Sequence, residues 1–140
     1  MLGLVLGVAM YIRRGIDEIL SAWYHAVPRK PLVLRGARQT GKSTSVRQFG
    51  RKAAHYVELN LERFDDLRLV RGARDVEEFL GSLRSRHNIS TFPAGTLLFI
   101  DEVQENPEVI AWLRFLYEDH PEIAVVVAGS LLDVRLRGGG

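Results

Sequence analysis

Residues 36–43 have the spacing of a loop that binds phosphate groups. Glycines stand at its first and sixth positions, Gly36 and Gly41, and Lys42 and Ser43 follow directly. Glycines allow a tight turn in which successive backbone N–H groups point at phosphate oxygens. In such loops the lysine reaches the β- and γ-phosphates and the serine hydroxyl binds Mg²⁺. The segment therefore predicts a nucleoside triphosphate site, without indicating what the triphosphate is used for.

The sequence on either side predicts the elements that hold this loop. The apolar run 31–34 predicts a strand leading into the loop, and residues 42–52 predict a helix leaving it. A strand places the loop at the carboxyl edge of a sheet, and a helix N-terminus offers free N–H groups and a positive dipole end. The residues assigned to the nucleotide from this pattern are Gly36, Ala37, Arg38, Gln39, Thr40, Gly41, Lys42 and Ser43.

An acid pair, Asp101 and Glu102, follows the apolar run 97–100. Four apolar residues in succession predict a strand buried on both faces, and the pair then emerges at the carboxyl edge. There Asp101 is expected to hold Mg²⁺ together with Ser43, leaving Glu102 as the catalytic group that polarises a water aimed at the γ-phosphate. The alternative is an acid pair that only ends a strand and caps a loop.

Two further polar residues are candidates at the same edge. Ser130 follows the apolar segment 125–128 and is a catalytic candidate that would bond the attacking water or the γ-phosphate, unless it is an ordinary turn residue. Gln104 would sense phosphate, or it is a surface glutamine. The other polar and aromatic candidates are expected to be packing or solvated residues: His25, His55, His87, His120, Trp23, Trp112, Arg114, Arg135 and Arg137.

Strand and helix patterns alternate along the chain. The predicted strands are residues 31–35, 55–61, 96–100 and 123–128. The predicted helices are residues 12–25 (apolar at 12, 16, 19, 20, 23 and 27), 42–52, part of 62–70, a helix capped by Asp75, and one from Asn106–Pro107 to Asp119. This order predicts a three-layer α/β sandwich around a parallel sheet of about four strands.

Composition sets broad limits. The 140 residues suffice for one domain, and a net charge of +2 gives no support for nucleic-acid binding. The absence of cysteine excludes disulfides and thiolate zinc sites and fits the cytoplasm. Residues 1–12 are almost wholly apolar but too short to span a bilayer, so no stable membrane insertion is expected. We divide the chain into an extension (1–11), an N-terminal helix and turn (12–30), a core (31–132) and a Gly-rich tail (133–140).

Five segments resemble a family of prokaryotic AAA-superfamily P-loop ATPases with an N-terminal ATPase domain and a poorly characterised C-terminal domain. They are YIRR at 11–14, LRGARQTGKST at 34–44, FIDEVQ at 99–104, LRFLYE at 113–118 and AGSLL at 128–132. The resemblance implies ATP as ligand, a Walker A motif that extends to Thr44, a Walker B motif at Asp101 and Glu102, and a sensor position near Ser130. It also implies the strand order 5-1-4-3-2.

The chain departs from the family pattern at both ends. Residues 1–9 match nothing in the family, and the sequence stops after the fourth predicted strand, before a fifth strand, a helical lid or the C-terminal domain. In the family's strand order, the first strand would then be an exposed apolar edge, which favours pairing with other chains. The expectation is a truncated ATPase domain, incomplete at its C-terminus, that hydrolyses slowly and self-associates or needs a partner to complete its sheet.

The leading functional prediction is an ATP-hydrolysing module that acts on an unknown partner or through the missing C-terminal domain. A kinase for a small molecule or nucleotide is an alternative, although Asp101 and Glu102 favour water as the acceptor. A non-catalytic fragment that binds nucleotide is another. A GTPase fits less well, because the sequence has no Asn-Lys-x-Asp motif for reading guanine.

Overall fold

The computed structural model describes residues 15–35 and 41–129. Four strands alternate with helices along this part of the chain. The strands are β1 (Leu32–Arg35), β2 (His55–Asn60), β3 (Thr96–Asp101) and β4 (Ile123–Gly129). The helices are α1 (Ile16–Tyr24), α2 (Lys42–Gly50), α3 (Phe64–Arg71), α4 (Val76–His87) and α5 (Val109–Asp119), with a 3₁₀ turn at Val103–Glu105.

The described strands form one parallel sheet in the order β1-β4-β3-β2. The order agrees with the 1-4-3-2 part of the predicted arrangement, and the α/β sandwich is confirmed. Register aligns the strand ends, since Arg35 lies opposite Gly129 and Asn60 lies opposite Asp101. We call this side of the sheet, where all four strands end, the carboxyl edge, and the opposite side the amino edge.

Both faces of the sheet are buried, which explains the unbroken apolar runs in β3 and β4. One face packs on α1 and α2, and its fully or nearly buried residues are Leu20, Leu32, Leu34, Val46, Leu97, Phe99, Ala124, Val126 and Ala128. The other face packs on α3, α4 and α5 through alternate residues of the same strands, among them Val33, Leu98, Ile100, Val125 and Val127. Two helix layers therefore clamp the sheet and fix the positions of its strand ends.

Asp75 caps α4 as its sequence predicts. Its Oδ1 accepts a hydrogen bond of 2.9 Å from the backbone N–H of Glu78. The Glu78 carboxylate in turn accepts from the backbone N–H of Arg74 at 2.8 Å, one residue before the position expected in a capping box.

Two expectations about helices were wrong. Asn106 and Pro107 do not start α5, which begins at Val109 without a side-chain cap, because the chain first makes the 3₁₀ turn at Val103–Glu105. The carbonyls of Asn106 and Pro107 instead accept the N–H groups of Val109 and Ile110. Val27 does not continue the apolar face of α1, since that helix ends at Tyr24 and the Val27 side chain is 94% exposed.

The predicted extension, the first residues of the predicted N-terminal helix and the Gly-rich tail lie outside the described residues. In the part of the chain that is described, no helix has the length and apolar character needed to cross a membrane.

Candidate nucleotide site

The carboxyl edge brings together groups that are far apart in sequence. β1 ends at Arg35, just before the loop, and α2 begins just after it at Lys42. β4 lies between β1 and β3 in the sheet. β4 ends at Gly129 and β3 ends at Asp101, at the same edge. Strand ends at the carboxyl edge of a parallel sheet are the usual place for a ligand.

The start of α2 suits an anion. Its N-cap is Gly41, with φ 79° and ψ 8°, a left-handed conformation that only glycine adopts freely. No side chain caps the helix there. The first-turn N–H groups of an α-helix have no partner within the helix, and the dipole adds positive potential. This terminus therefore presents donors and positive potential to whatever lies against it.

Lys42 is the first residue of α2, and its side chain turns back toward the sheet. Its Nζ donates to the carbonyl oxygen of Arg35 at the end of β1. Partial burial lowers the pKa of the Lys42 amine from its ordinary value, since desolvation disfavours the charged form. An anion beside this amine would replace the neutral carbonyl with a partner of opposite charge.

Ser43 and Asp101 meet directly. Ser43 Oγ donates to Asp101 Oδ2 at 2.6 Å, although the two residues are 58 positions apart. Asp101 is 5% exposed, and burial raises the pKa of its carboxyl. The Ser43 hydroxyl and the backbone N–H of Glu102 oppose that shift by bonding to the ionised form. A hydroxyl and a carboxylate in contact are oxygen ligands of the kind that Mg²⁺ prefers.

Glu102 has an unusual backbone. It is 9% exposed, and its φ of 56° and ψ of 46° lie in the left-handed region. Such a conformation costs a residue with a side chain about 1–3 kcal/mol and is concentrated at functional sites. Its N–H donates to Asp101 Oδ1 at 2.9 Å, and its Oε1 accepts from Gln104 Nε2 at 2.7 Å. The two carboxyl groups of the acid pair thus have separate partners.

A family model described as an AAA domain matches residues 28–138, most of the chain. The chain belongs to this AAA domain family. No curated protein is similar enough to the chain to count as a match. The AAA domain assignment makes the chain an AAA-type nucleotide-binding module.

Some predicted site residues of this AAA domain lie outside the described part of the chain. They are Gly36, Ala37, Arg38, Gln39, Thr40 and Ser130. Arg135 and Arg137, which were expected to be solvated, also lie outside it. Thr44 is described and lies exposed on the first turn of α2. The structure thus brings together Gly41, Lys42, Ser43, Asp101 and Glu102 of the predicted set.

Gln104 is not a surface glutamine. Its side chain is partly buried, its amide N–H₂ bonds to Glu102, and its Oε1 is buried without a hydrogen-bond partner among the described residues. The expectation of a solvated side chain missed this contact because the 3₁₀ turn at Val103–Glu105 folds Gln104 back toward the acid pair.

Sequence reasoning also missed a polar cluster beside Asp101. Arg47 Nε on α2 donates to both oxygens of Glu58 on β2, at 3.2 and 3.0 Å, and Tyr56 Oη donates to Glu58 Oε1 at 2.7 Å. Burial, and then the Glu58 carboxylate, raise the pKa of the Tyr56 hydroxyl. The one available signal was the spacing of Ser43 and Arg47, which puts both on one side of α2. The cluster joins α2 to the edge strand β2.

The remaining candidates lie away from this edge or on the surface. Trp112 packs on Phe79 with ring centroids 5.0 Å apart, and Arg114 pairs with Glu118 on the exposed side of α5. His120 bonds to two glutamates, and His55 faces His87. Within residues 15–35 and 41–129, no three acidic or histidine side chains are grouped so that they would hold a metal ion by themselves.

Proposed function

We propose that this AAA domain binds ATP with Mg²⁺ at the carboxyl edge and hydrolyses it with water as the acceptor. The contact of 2.6 Å between Ser43 Oγ and Asp101 Oδ2 carries the proposal, because it joins the start of α2 to the end of β3. It supplies two oxygen ligands where the phosphates of a nucleotide bound at α2 would end.

The start of α2 would hold the phosphates. Its first-turn N–H groups and Gly41 would surround them, and Lys42 would leave the Arg35 carbonyl to bond phosphate oxygens. We assign the loop residues 36–40 to the same task on the strength of their spacing, and Thr44 on the strength of the resemblance to the family. Because burial already destabilises the charge on Lys42, an anionic partner would be bound more strongly there than at a solvated lysine.

Glu102 would act as the general base. When bound by Ser43 and Asp101, Mg²⁺ would neutralise charge that develops on the phosphate oxygens. Glu102 would take a proton from the attacking water while the oxygen of that water bonds to the γ-phosphorus. The bond from the γ-phosphorus to the β–γ bridging oxygen would break at the same time. The products would be ADP and phosphate. We assign Ser130 a hydrogen bond to that water or to the γ-phosphate. We also propose a cytoplasmic location, with which a sequence without cysteine is compatible.

The test is phosphate release by the purified chain with Mg²⁺ and ATP and no second substrate. Glu102→Gln should lower turnover by about 10²–10⁴-fold, the usual contribution of a general base. Glu105→Gln, on the exposed side of the same 3₁₀ turn, is the matched control and should leave turnover unchanged. Turnover that survives Glu102→Gln would contradict the assigned base.

Nucleotide binding is measured separately by thermal unfolding with and without Mg²⁺ and ATP. Stabilisation should be present in the wild-type chain, lost in Lys42→Ala and retained in Lys52→Ala, an exposed lysine beyond the end of α2. Stabilisation without phosphate release would favour a non-catalytic nucleotide-binding module. Phosphate transfer only when a small-molecule acceptor is added would favour a kinase.

A further inference from the structure

We propose that Gln104 is a positioning residue that orients the carboxylate of Glu102 for its reaction with water. The inference rests on the proposed function, because it assigns Gln104 a part in the same hydrolysis. The observation behind it is the hydrogen bond of 2.7 Å from Gln104 Nε2 to Glu102 Oε1.

The backbone between the two residues is itself fixed. Glu102 has a left-handed conformation, and the 3₁₀ turn that follows is closed by bonds from Glu105 N–H to Glu102 O at 3.1 Å and from Asn106 N–H to Val103 O at 3.0 Å. Val103, between the two polar side chains, is buried in the core. The base and its partner are therefore presented by one short, anchored segment.

The tip of β4 confines the other side of the Gln104 amide. A Cβ on Gly129 would lie 2.5 Å from Gln104 Oε1 and 3.1 Å from the backbone nitrogen of Val103. Glycine thus leaves the space that the amide occupies. Gln104 lies between Glu102, which directly follows β3, and Gly129 at the end of β4, so its amide cannot swing away from Glu102 in that direction.

The amide is an unfavourable choice if Gln104 only fills space. Its Oε1 is buried and has no hydrogen-bond partner in the described part of the chain, and a buried acceptor without a partner costs free energy. A methionine has nearly the same length and would avoid that cost. The group that distinguishes glutamine from methionine and has a partner here is the N–H₂, which bonds to Glu102.

A bond to one carboxylate oxygen restricts rotation of the whole carboxylate and leaves the second oxygen for water. General-base catalysis depends on that orientation, whereas binding of the nucleotide depends on Lys42, Ser43 and Asp101. Loss of the Gln104 N–H should therefore lower kcat and leave the KM for ATP unchanged.

The experiment measures kcat, KM and thermal unfolding for Gln104→Met and Gln104→Glu. Gln104→Met should lower kcat about tenfold, part of the contribution of a general base. It should keep KM within about twofold and change the unfolding temperature little, since removal of the unpaired Oε1 offsets the loss of the hydrogen bond to the Glu102 carboxylate. Gln104→Glu should lower kcat further, because a second carboxylate would repel Glu102. Gln48 is an exposed glutamine on α2, and Gln48→Met is the matched control. It should leave kcat, KM and thermal unfolding unchanged.

The results separate the two proposals. Wild-type kcat in Gln104→Met would overturn the positioning role while leaving hydrolysis intact, and a parallel loss of kcat, ATP affinity and stability would show that Gln104 is only structural. In the Glu102→Gln background, Gln104→Met should have no further effect, and an additional tenfold loss would also overturn the role. If the wild-type chain releases no phosphate, the proposed hydrolysis fails and the positioning role with it.

Discussion

The surroundings of Asp101 and Lys42 at the carboxyl edge and those of His120 at the amino edge have opposite effects on charge. At the carboxyl edge, burial raises the pKa of Asp101 and lowers the pKa of Lys42, so both groups are held where their charged forms are disfavoured. At the amino edge, burial of His120 is outweighed by its bonds to Glu77 and Glu122, and its pKa rises in favour of the charged form. Asp101 and Lys42 are thus held against their charged forms, whereas His120 is held in favour of its charged form.

The difference distinguishes the proposed nucleotide site from a structural cluster. His120 has acceptors on both ring nitrogens, at 2.7 Å from Glu77 Oε2 and 3.2 Å from Glu122 Oε2, so its charge is met within the protein. The carboxyl edge combines a buried carboxylate, a lysine on a neutral carbonyl and a left-handed glutamate. A charged ligand can supply the opposite charge that the Lys42 amine and the Asp101 carboxylate lack in the protein alone.

The largest effect expected within this comparison is that of Asp101→Asn. If Asp101 holds Mg²⁺, phosphate release should fall about 100-fold or more, because the metal contributes several kcal/mol to catalysis. The same variant should be more stable than the wild-type chain at pH 7 without Mg²⁺ or nucleotide, since it removes a buried charge, while the asparagine Oδ1 can accept from the Glu102 N–H and its Nδ2 can donate to Ser43 Oγ. Thermal unfolding in a metal chelator measures the stability.

The sign of the pH dependence follows from the raised pKa. The folded chain holds the Asp101 proton more tightly than the unfolded chain, so ionisation costs stability as the pH rises from about 3.8 through the raised pKa. The stability gain of Asp101→Asn should therefore shrink toward pH 4.

Asp66→Asn is the control, since Asp66 is paired with Arg86 at 2.6 Å and accepts from Asn60 N–H. The free energy of unfolding of Asp66→Asn should fall by about 1 kcal/mol at pH 7. A similar fall for Asp101→Asn would show that burial does not destabilise the charge of Asp101.

The strands were predictable because burial on both faces leaves a strong signal. The apolar runs of β3 and β4 have few competing interpretations at that length between turn residues. The start of α5 was not predictable, since the turn at Val103–Glu105 depends on how the chain leaves β3, and an Asn-Pro pair has the composition of a helix start. Local composition gave the wrong boundary where tertiary structure determined it.

The site divides in the same way. The types and spacing of Ser43 and Asp101 were enough to predict that they meet, because a parallel sheet places all strand ends at one edge. The bond between Gln104 and Glu102 has no sequence signature. It depends on the left-handed backbone of Glu102 and on the space beside Gly129, which only coordinates reveal.

A smaller effect is expected from Asp75→Ala at the start of α4. Removal of this cap should cost about 1 kcal/mol, because the N–H of Glu78 loses its acceptor. Urea unfolding at pH 7 measures the difference. Glu108→Ala is the matched control, since Glu108 occupies the same position on α5 without a side-chain cap and should change stability by less than about 0.5 kcal/mol. Equal losses in the two variants would show that the Asp75 carboxylate contributes nothing through its bond.

The smallest effect is the pH dependence at His120. Its raised pKa means that the stabilisation is complete below the unfolded value near 6.5 and is lost as the pH rises through the folded value. His120→Asn should therefore cost about 0.5 kcal/mol at pH 6 and less at pH 8.5, a small amount because Glu77 is largely exposed.

His87 provides a control of opposite sign within the same fold. Burial, and then the nearby His55 and Arg86, lower its pKa, so the folded chain releases the His87 proton more readily than the unfolded chain. His87→Asn should relieve a cost that grows as the pH falls below about 6.5, and it should therefore gain stability relative to the wild-type chain under acid conditions. Urea unfolding between pH 5.5 and 8.5 measures both variants. The stability differences of the two variants from the wild-type chain should change with pH in opposite directions. If they changed in the same direction, the bonds to Glu77 and Glu122 would not be the cause of the raised pKa of His120.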